Sequence, residues 1–210
     1  MGKTDLRIIK TLAQIDASLL KNLSEHPFHK ITINMLCSEA MINRSTFYKY
    51  YLDKYDLLDK FLTRTLEEFR LHINVEFINA DPSRIHDICY INNFDSALEF
   101  IEKNKEKYEI LWNASTGRRI YDEMTEIIRE NILSVMESSE ERSAHQKKCA
   151  SLYAYLFASN MMSLIQWWFQ YYTTVSREEI EQIMTDNMHL GLFRTFKNTL
   201  KKGNRVGGSD

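Results

Sequence analysis

The sequence predicts an all-α protein built from a small N-terminal head and a larger helical body. Only two prolines and six glycines occur in 210 residues, which leaves few of the turn formers that a β-rich fold needs. Apolar residues recur every three or four positions through most of the chain, as they do on one face of an α-helix. Since no segment alternates convincingly with the period of two that strands require, the expected fold contains helices alone.

The head is predicted to contain one long helix, two short ones and the start of a fourth. Leu6 to Leu23 form the apolar stripe of the first helix, which should end before Pro27 because a residue that precedes proline avoids the α region. Thr32, Asn43 and Asp53 are suited to cap the N-termini of the next three helices. The fourth helix, expected over 54–78, has an apolar face made of Leu57, Leu58, Phe61, Leu62, Leu66, Phe69 and Ile73.

The body is predicted to contain five further helices after the break at Asp81-Pro82. Ser176 and Glu179 form the pattern of a capping box at the start of the last one. We expect a head at 1–55, linked through the helix at 54–78 to a body at 56–202, and a flexible tail at 203–210. The predicted body helices span 83–91, 95–113, 118–137, 143–174 and 177–201.

Charge is distributed unevenly along the chain. The net charge is −2, but residues 1–60 contain nine Lys or Arg and seven Asp or Glu, whereas the remaining 150 contain 18 and 22. A mildly basic head on an acidic body permits local contact with DNA without coating it. The three cysteines, Cys37, Cys89 and Cys149, lack CxxC spacing and indicate neither a metal site nor a disulfide framework.

The uncharged run from Cys149 to Thr174 is long enough to cross a bilayer. Polar residues such as Ser159, Ser163 and Gln166 recur through it, and no basic cluster follows, so we interpret it as a helix covered by protein. Charged residues interrupt the N-terminus where a signal peptide would need an apolar stretch. The sequence therefore predicts a cytoplasmic protein without a membrane contact.

Residues 32–58, TINMLCSEAMINRSTFYKYYLDKYDLL, have the pattern of a helix-turn-helix. Phe47 and Tyr51 lie one turn apart and can anchor the short second helix of this motif on the core of the head. Side chains that can bind phosphates or bases then remain for its exposed face and ends. They are Arg44, Ser45, Thr46, Tyr48, Lys49 and Tyr50.

From composition and spacing alone, a helical hairpin with a packed aromatic cluster explains 32–58 about as well as DNA binding does. The order of the residues favours DNA binding, because it resembles the signature of the tetracycline-repressor (TetR) family, and because Lys54 and the Tyr48 hydroxyl are expected to have no purpose in the core. The matching residues are Ile33, Leu36, Ala40, Ile42, Thr46-Phe47-Tyr48, Tyr50-Tyr51, Asp53-Lys54 and Leu57-Leu58.

The resemblance implies two groups of contacts to operator DNA. One departure is Met41, which stands where the family usually has glycine; a left-handed conformation there is costly for Met, so the turn is expected to be strained or reshaped. Phosphate contacts are implied for Thr32, Tyr48, Lys49 and Lys54, and base or groove contacts for Asn43, Arg44, Ser45, Thr46 and Tyr50.

Sites for catalysis, metals and cofactors are not indicated. No nucleophile, phosphate-binding or zinc motif occurs, and the carboxylates belong to solvated faces, so the protein is not expected to be an enzyme. His26 and His29 have an HxxH spacing, but Pro27 breaks the helix that such a metal site would need. We interpret them as surface histidines.

Aromatic and methionine side chains of the body suit either a packed core or a cavity for an apolar or aromatic effector. For any single residue the core is the better interpretation, and the resemblance implies a pocket without specifying its lining. The candidates are Trp112, Tyr121, Met124, Tyr153, Phe157, Met161, Trp168 and Tyr172.

The last two helices are predicted to form a homodimer. The uncharged run needs cover on more than one face, and Leu190, Leu192, Phe193 and Phe196 of the last helix offer a second apolar surface. The expected protein is a repressor that binds palindromic double-stranded operator DNA and releases it when a small effector binds the body. The alternative is a helix-turn-helix regulator that activates, or responds to a protein partner, without a small molecule.

Overall fold

The structure, a computed structural model, describes residues 6–73, 75, 88–137, 143–187 and 191, with side chains of 6–73, 75, 96–136, 143–184, 186, 187 and 191. Across these ranges the secondary structure is helical and contains no strand, which confirms the predicted fold class. The α-helices are α1 (Leu6–Glu25), α2 (Ile33–Glu39), α3 (Arg44–Tyr48), α4 (Lys54–His72), α5 (Ile88–Lys103), α6 (Lys105–Asn113), α7 (Ile120–Glu137), α8 (Ala144–Gln170) and α9 (Arg177–Asn187), with a 3-10 turn at Phe28–Lys30.

The chain divides into two compact units. Unit 1 contains Met1–Glu68 and Asn104–Tyr121, and unit 2 contains Phe69–Lys103 and Asp122–Asp210. Helix α6 therefore belongs with the N-terminal helices and contacts α1, although it begins at Lys105 and the predicted head ends at residue 55. Helix α4 ends at His72, earlier than the predicted end at 78.

The core of unit 1 forms where α1 to α4 meet. Ile15 and Leu19 of α1 and Phe47 of α3 are fully buried, together with Leu57 and Leu62 of α4. At the edge of this core, the Arg64 guanidinium donates to both carboxylate oxygens of Asp16, at 2.8 and 2.9 Å, and so joins α4 to α1. Burial raises the pKa of the Asp16 carboxyl above its usual value, although the Arg64 charge opposes that shift.

Unit 2 is built around α8. Its inner face is buried, and the indole N–H of the fully buried Trp168 donates to the backbone oxygen of Val175 at 3.0 Å. Glu102 of α5 accepts hydrogen bonds from the Tyr172 hydroxyl at 2.8 Å and from Arg177 at 3.3 Å. These bonds hold the turn between α8 and α9 against α5.

Helix boundaries in the body follow the prediction in part. Both parts of the capping box at Ser176 and Glu179 are present. The predicted division between 83–91 and 95–113 is wrong: α5 runs without a break from Ile88 to Lys103, and the interruption falls at Asn104, whose φ of −106° and ψ of 11° leave the helical region. The residues 83–87, 188–190 and 192–210 lie outside the described part of the chain.

A helix that crosses a bilayer needs about 20 predominantly apolar residues, and none of the described helices is both long enough and apolar enough to do so.

Candidate nucleic-acid interface

Helix α2 begins and ends with local hydrogen bonds that the sequence encodes. The Thr32 hydroxyl accepts from the Met35 amide at 3.2 Å, which confirms the predicted cap. After α2, the Met41 amide donates to the oxygen of Ser38 at 3.2 Å and the Ile42 amide donates to that of Cys37 at 3.0 Å. This pair of bonds is a Schellman motif, which requires a left-handed residue directly after the helix cap.

Met41 occupies that left-handed position. Its φ is +53°, and the residue is 84% exposed, so little packing offsets the backbone strain. A left-handed residue with a Cβ costs about 1–2 kcal/mol. The turn therefore keeps the shape that glycine would favour and carries strain instead of being reshaped.

Helix α3 is anchored from behind by aromatic side chains. Phe47 is fully buried, and Tyr51, which follows the helix, is almost fully buried, with their ring centroids 5.7 Å apart. Asn43 occupies the N-cap position as predicted, but its side chain makes no capping hydrogen bond. The side-chain amide of Asn43 therefore does not cap α3.

The outward face of α3 presents polar and cationic groups. Of the residues predicted to contact DNA, Thr32, Asn43, Arg44, Ser45, Tyr48 and Lys49 are exposed, whereas Thr46, Tyr50 and Lys54 are half-buried. The ammonium of Lys49 lies 5.7 Å from the Tyr50 ring centroid, over its face. This arrangement offers a basic and hydrogen-bonding surface beside a buried aromatic anchor.

Arg44 is held in place on this surface by two neighbours. Its Nη1 donates to Oδ1 of Asn34 on α2, and its Nη2 donates to the Tyr48 hydroxyl, both at 3.3 Å. The guanidinium carbon lies 5.8 Å from the Tyr48 ring centroid. Asn34 is not among the residues predicted to contact DNA, although a polar residue near the start of α2, a helix that α3 contacts, was the available signal.

Lys54 has a role inside the head, so the interpretation that it has none was wrong. Its ammonium donates to the backbone oxygens of Phe28, His29 and Ile31, at 3.0, 3.1 and 2.8 Å. The nitrogen also lies 4.9 Å from the Phe28 ring centroid and 5.4 Å from that of Tyr55. Lys54 therefore fastens the segment before Thr32 to the start of α4.

The residues predicted to line an effector cavity divide between the two units. Trp112 and Tyr121 are half-buried in unit 1, with ring centroids 5.5 Å apart in an edge-to-face arrangement. Within unit 2, Met124, Phe157, Met161 and Trp168 are buried, Tyr153 is half-buried and Tyr172 is exposed. An open groove of about 460 Å³ lies in unit 1, lined by Leu23, Ser24, Glu109, Ile110, Asn113 and Ala114.

Helix α8 carries an exposed apolar stripe on the side opposite its buried face. Trp167 is 41% exposed, in contrast to the fully buried Trp168 beside it. Leu152, Tyr155 and Leu156 of α8 are also exposed, as is Tyr171 directly after the helix, whereas the exposed residues between Leu156 and Trp167 are Ser163 and Gln166. The apolar residues predicted for the last helix, Leu190, Leu192, Phe193 and Phe196, lie outside the described residues.

His26 and His29 do not share a helix. His26 follows α1, and His29 lies in the 3-10 turn. Among the residues that the structure describes, no group of three or more His, Cys, Asp or Glu could hold a metal ion.

Fold and surface together define a class: an all-α protein whose head carries a helix-turn-helix with an exposed second helix. Residues 90–190 match a TetR C-terminal family model described as "Transcriptional regulator C-terminal region". A crystal structure of a proposed transcriptional regulator from Pseudomonas aeruginosa PAO1 has the same fold, with a TM-score of 0.61 and 16% identity over 88% of this chain and 93% of that chain. No curated protein matches the sequence. The family match over 90–190 and the shared fold support a transcriptional regulator of the TetR type.

Proposed function

We propose that this regulator is a cytoplasmic repressor that binds a palindromic operator as a homodimer and releases it when its body binds a small apolar or aromatic effector. The observation that carries the DNA-binding step is the exposed face of α3, fixed from behind by Phe47 and Tyr51. No catalytic step belongs to this proposal.

The proposed DNA contacts follow from exposure and chemistry. Arg44 at the start of α3 has the planar fork that suits guanine O6 and N7, and Asn43 beside it has an amide that no capping bond uses. Ser45, Thr46 and Tyr50 complete the groups proposed to face the groove. Contacts to phosphates fix the position of a protein without reading sequence.

Phosphate contacts are proposed for Thr32, Tyr48 and Lys49. The Thr32 hydroxyl accepts the Met35 amide and keeps its own hydrogen for donation to a phosphate. Lys54 is proposed to support this surface and not to contact a phosphate, because its ammonium already donates to three backbone oxygens.

Dimerisation is proposed through α8, on the stripe that includes Trp167. Exposed apolar residues on one side of a helix are typical of a surface that a partner covers. A second copy is the proposed partner, because a two-fold dimer supplies the two heads that a palindromic site needs. The effector is proposed to bind unit 2 or to open a cavity there, and thereby to change the separation or freedom of the two heads.

The test begins with selection of a duplex from a randomised library by the wild-type protein. Arg44→Ala should lose preference at one base pair in each half-site by roughly 5- to 100-fold and keep most non-specific affinity. Lys49→Ala should weaken binding to all sequences and lower the salt slope by about 1. Uniform and equal losses for both variants would show that Arg44 does not read a base, and selection of no duplex would refute DNA binding.

A further inference from the structure

Asn34 is the α2 residue that accepts a hydrogen bond from the proposed base-reading side chain. Its Oδ1 accepts from Nη1 of Arg44 at 3.3 Å, while Tyr48 accepts from Nη2 at the same distance. All three side chains are exposed, so nothing in the packing of the core requires this arrangement. The two acceptors lie on different helices, α2 and α3.

We infer that Asn34 is a specificity-determining residue that positions the guanidinium of Arg44 for one base pair of the operator. This inference rests on the proposed function, because it assigns to Asn34 an effect on what Arg44 reads. It goes beyond the family signature, since Asn34 is not among the residues that form the match.

The physical reason is the freedom that an arginine loses on binding. An exposed arginine samples many rotamers, and a base contact must select one of them. Two acceptors and the Tyr48 ring face, 5.8 Å from the guanidinium carbon, restrict Arg44 before DNA arrives. With Tyr48 as its only acceptor, the guanidinium of Arg44 could rotate about that hydrogen bond. The second acceptor, Asn34 on α2, fixes the plane of the guanidinium.

Asn34 also stands where it can act without being needed for stability. Asn34 lies in the first turn of α2, and the hydrogen bond that caps this helix is made by the Thr32 hydroxyl. Removing the Asn34 amide therefore leaves the cap, the Schellman turn and the aromatic anchor of α3 unchanged. A change in base preference would report on Arg44 and not on unfolding of the head.

The experiment compares Asn34→Ala, Asn34→Asp and Arg44→Ala on the duplex selected by the wild-type protein and on its single-base variants. Asn34→Ala should lower the preference by roughly 2- to 10-fold, at the same base pair that Arg44→Ala affects. The double variant should lose no more base preference than Arg44→Ala alone, because both substitutions act on the same contact between Arg44 and a base. Asn34→Asp keeps the acceptor oxygen and should retain the preference, while its added charge weakens binding to every duplex. Ser38→Ala, an exposed change one turn along α2, serves as the matched control and should leave the preference unchanged.

A second readout needs no DNA. NMR relaxation of the Arg44 Nε–H in the DNA-free protein reports how freely this side chain moves. Its order parameter should be lower in Asn34→Ala than in the wild type or in Asn34→Asp. Unchanged base preference in Asn34→Ala, or losses that add fully to those of Arg44→Ala, would overturn the inference while leaving DNA binding intact. If the wild-type protein selects no duplex, the proposed function fails and the inference falls with it.

Discussion

Replacing Lys54 by Met removes the ammonium but keeps a side chain of similar length to cover the Phe28 ring. In the native head this ammonium donates to three backbone oxygens, at 2.8, 3.0 and 3.1 Å, at the end of a 3-10 turn. Oxygens at a helix end carry partial negative charge, so the variant leaves them without their cation. The variant head should therefore be less stable than the native head even in the absence of DNA.

The size of the loss follows from the number and exposure of these bonds. A hydrogen bond to a charged group contributes about 1.5–3 kcal/mol net. The three bonds share one half-buried nitrogen and cannot be added, so the free energy of unfolding should fall by about 2–3 kcal/mol. For a chain of this length the melting temperature should fall by roughly 4–12 °C.

Thermal unfolding of the DNA-free protein measures this change, with Lys60→Ala as the control on the same helix. Lys60 pairs with Asp56 at 2.9 Å and donates to one backbone oxygen, that of Tyr50, at 3.4 Å, so its removal should cost about 1 kcal/mol or less. DNA affinity measured over a range of salt concentrations supplies the second test. Lys54→Met should leave the salt slope unchanged, because its ammonium is used inside the head. A wild-type melting temperature together with a slope lowered by about 1 would refute this reasoning and assign Lys54 to a phosphate.

Three further predictions concern the turn, the exposed face of α8 and a cap. Met41→Gly should raise the free energy of unfolding by about 0.5–1 kcal/mol in chemical denaturation by relieving the positive φ; a loss would mean that Met41 makes a stabilising contact. Trp167→Glu should give folded monomers by light scattering, whereas Trp168→Glu should not fold because its indole is fully buried; a dimeric Trp167→Glu would place the interface elsewhere. Ser176→Ala should cost about 1 kcal/mol in thermal unfolding, and no loss would show that the cap is redundant.

Local structure in the head could be predicted because it depends on neighbours a few positions away. The Thr32 cap involves Met35, and the turn at Met41 involves Ser38 and Cys37, so spacing alone identifies them. A strained or reshaped turn was expected at Met41 because the family that the sequence resembles usually has glycine there, and the structure has the strained form. The aromatic anchor of α3 was also predictable, because Phe47 and Tyr51 lie on one face of a short helix.

Tertiary structure decided the partners that are distant in sequence. Lys54 reaches oxygens 23 to 26 positions away, and Arg44 reaches Asn34 across the turn, so neither contact follows from a helical period. Helix α8 is apolar on most sides, and periodicity could not show that Trp168 faces the core while Trp167 faces outward. The sequence by itself determined where the helices of the head begin and turn, because hydrogen bonds between near neighbours encode those points. The packing of the helices decides which polar groups form hydrogen bonds inside the head and which remain exposed for DNA.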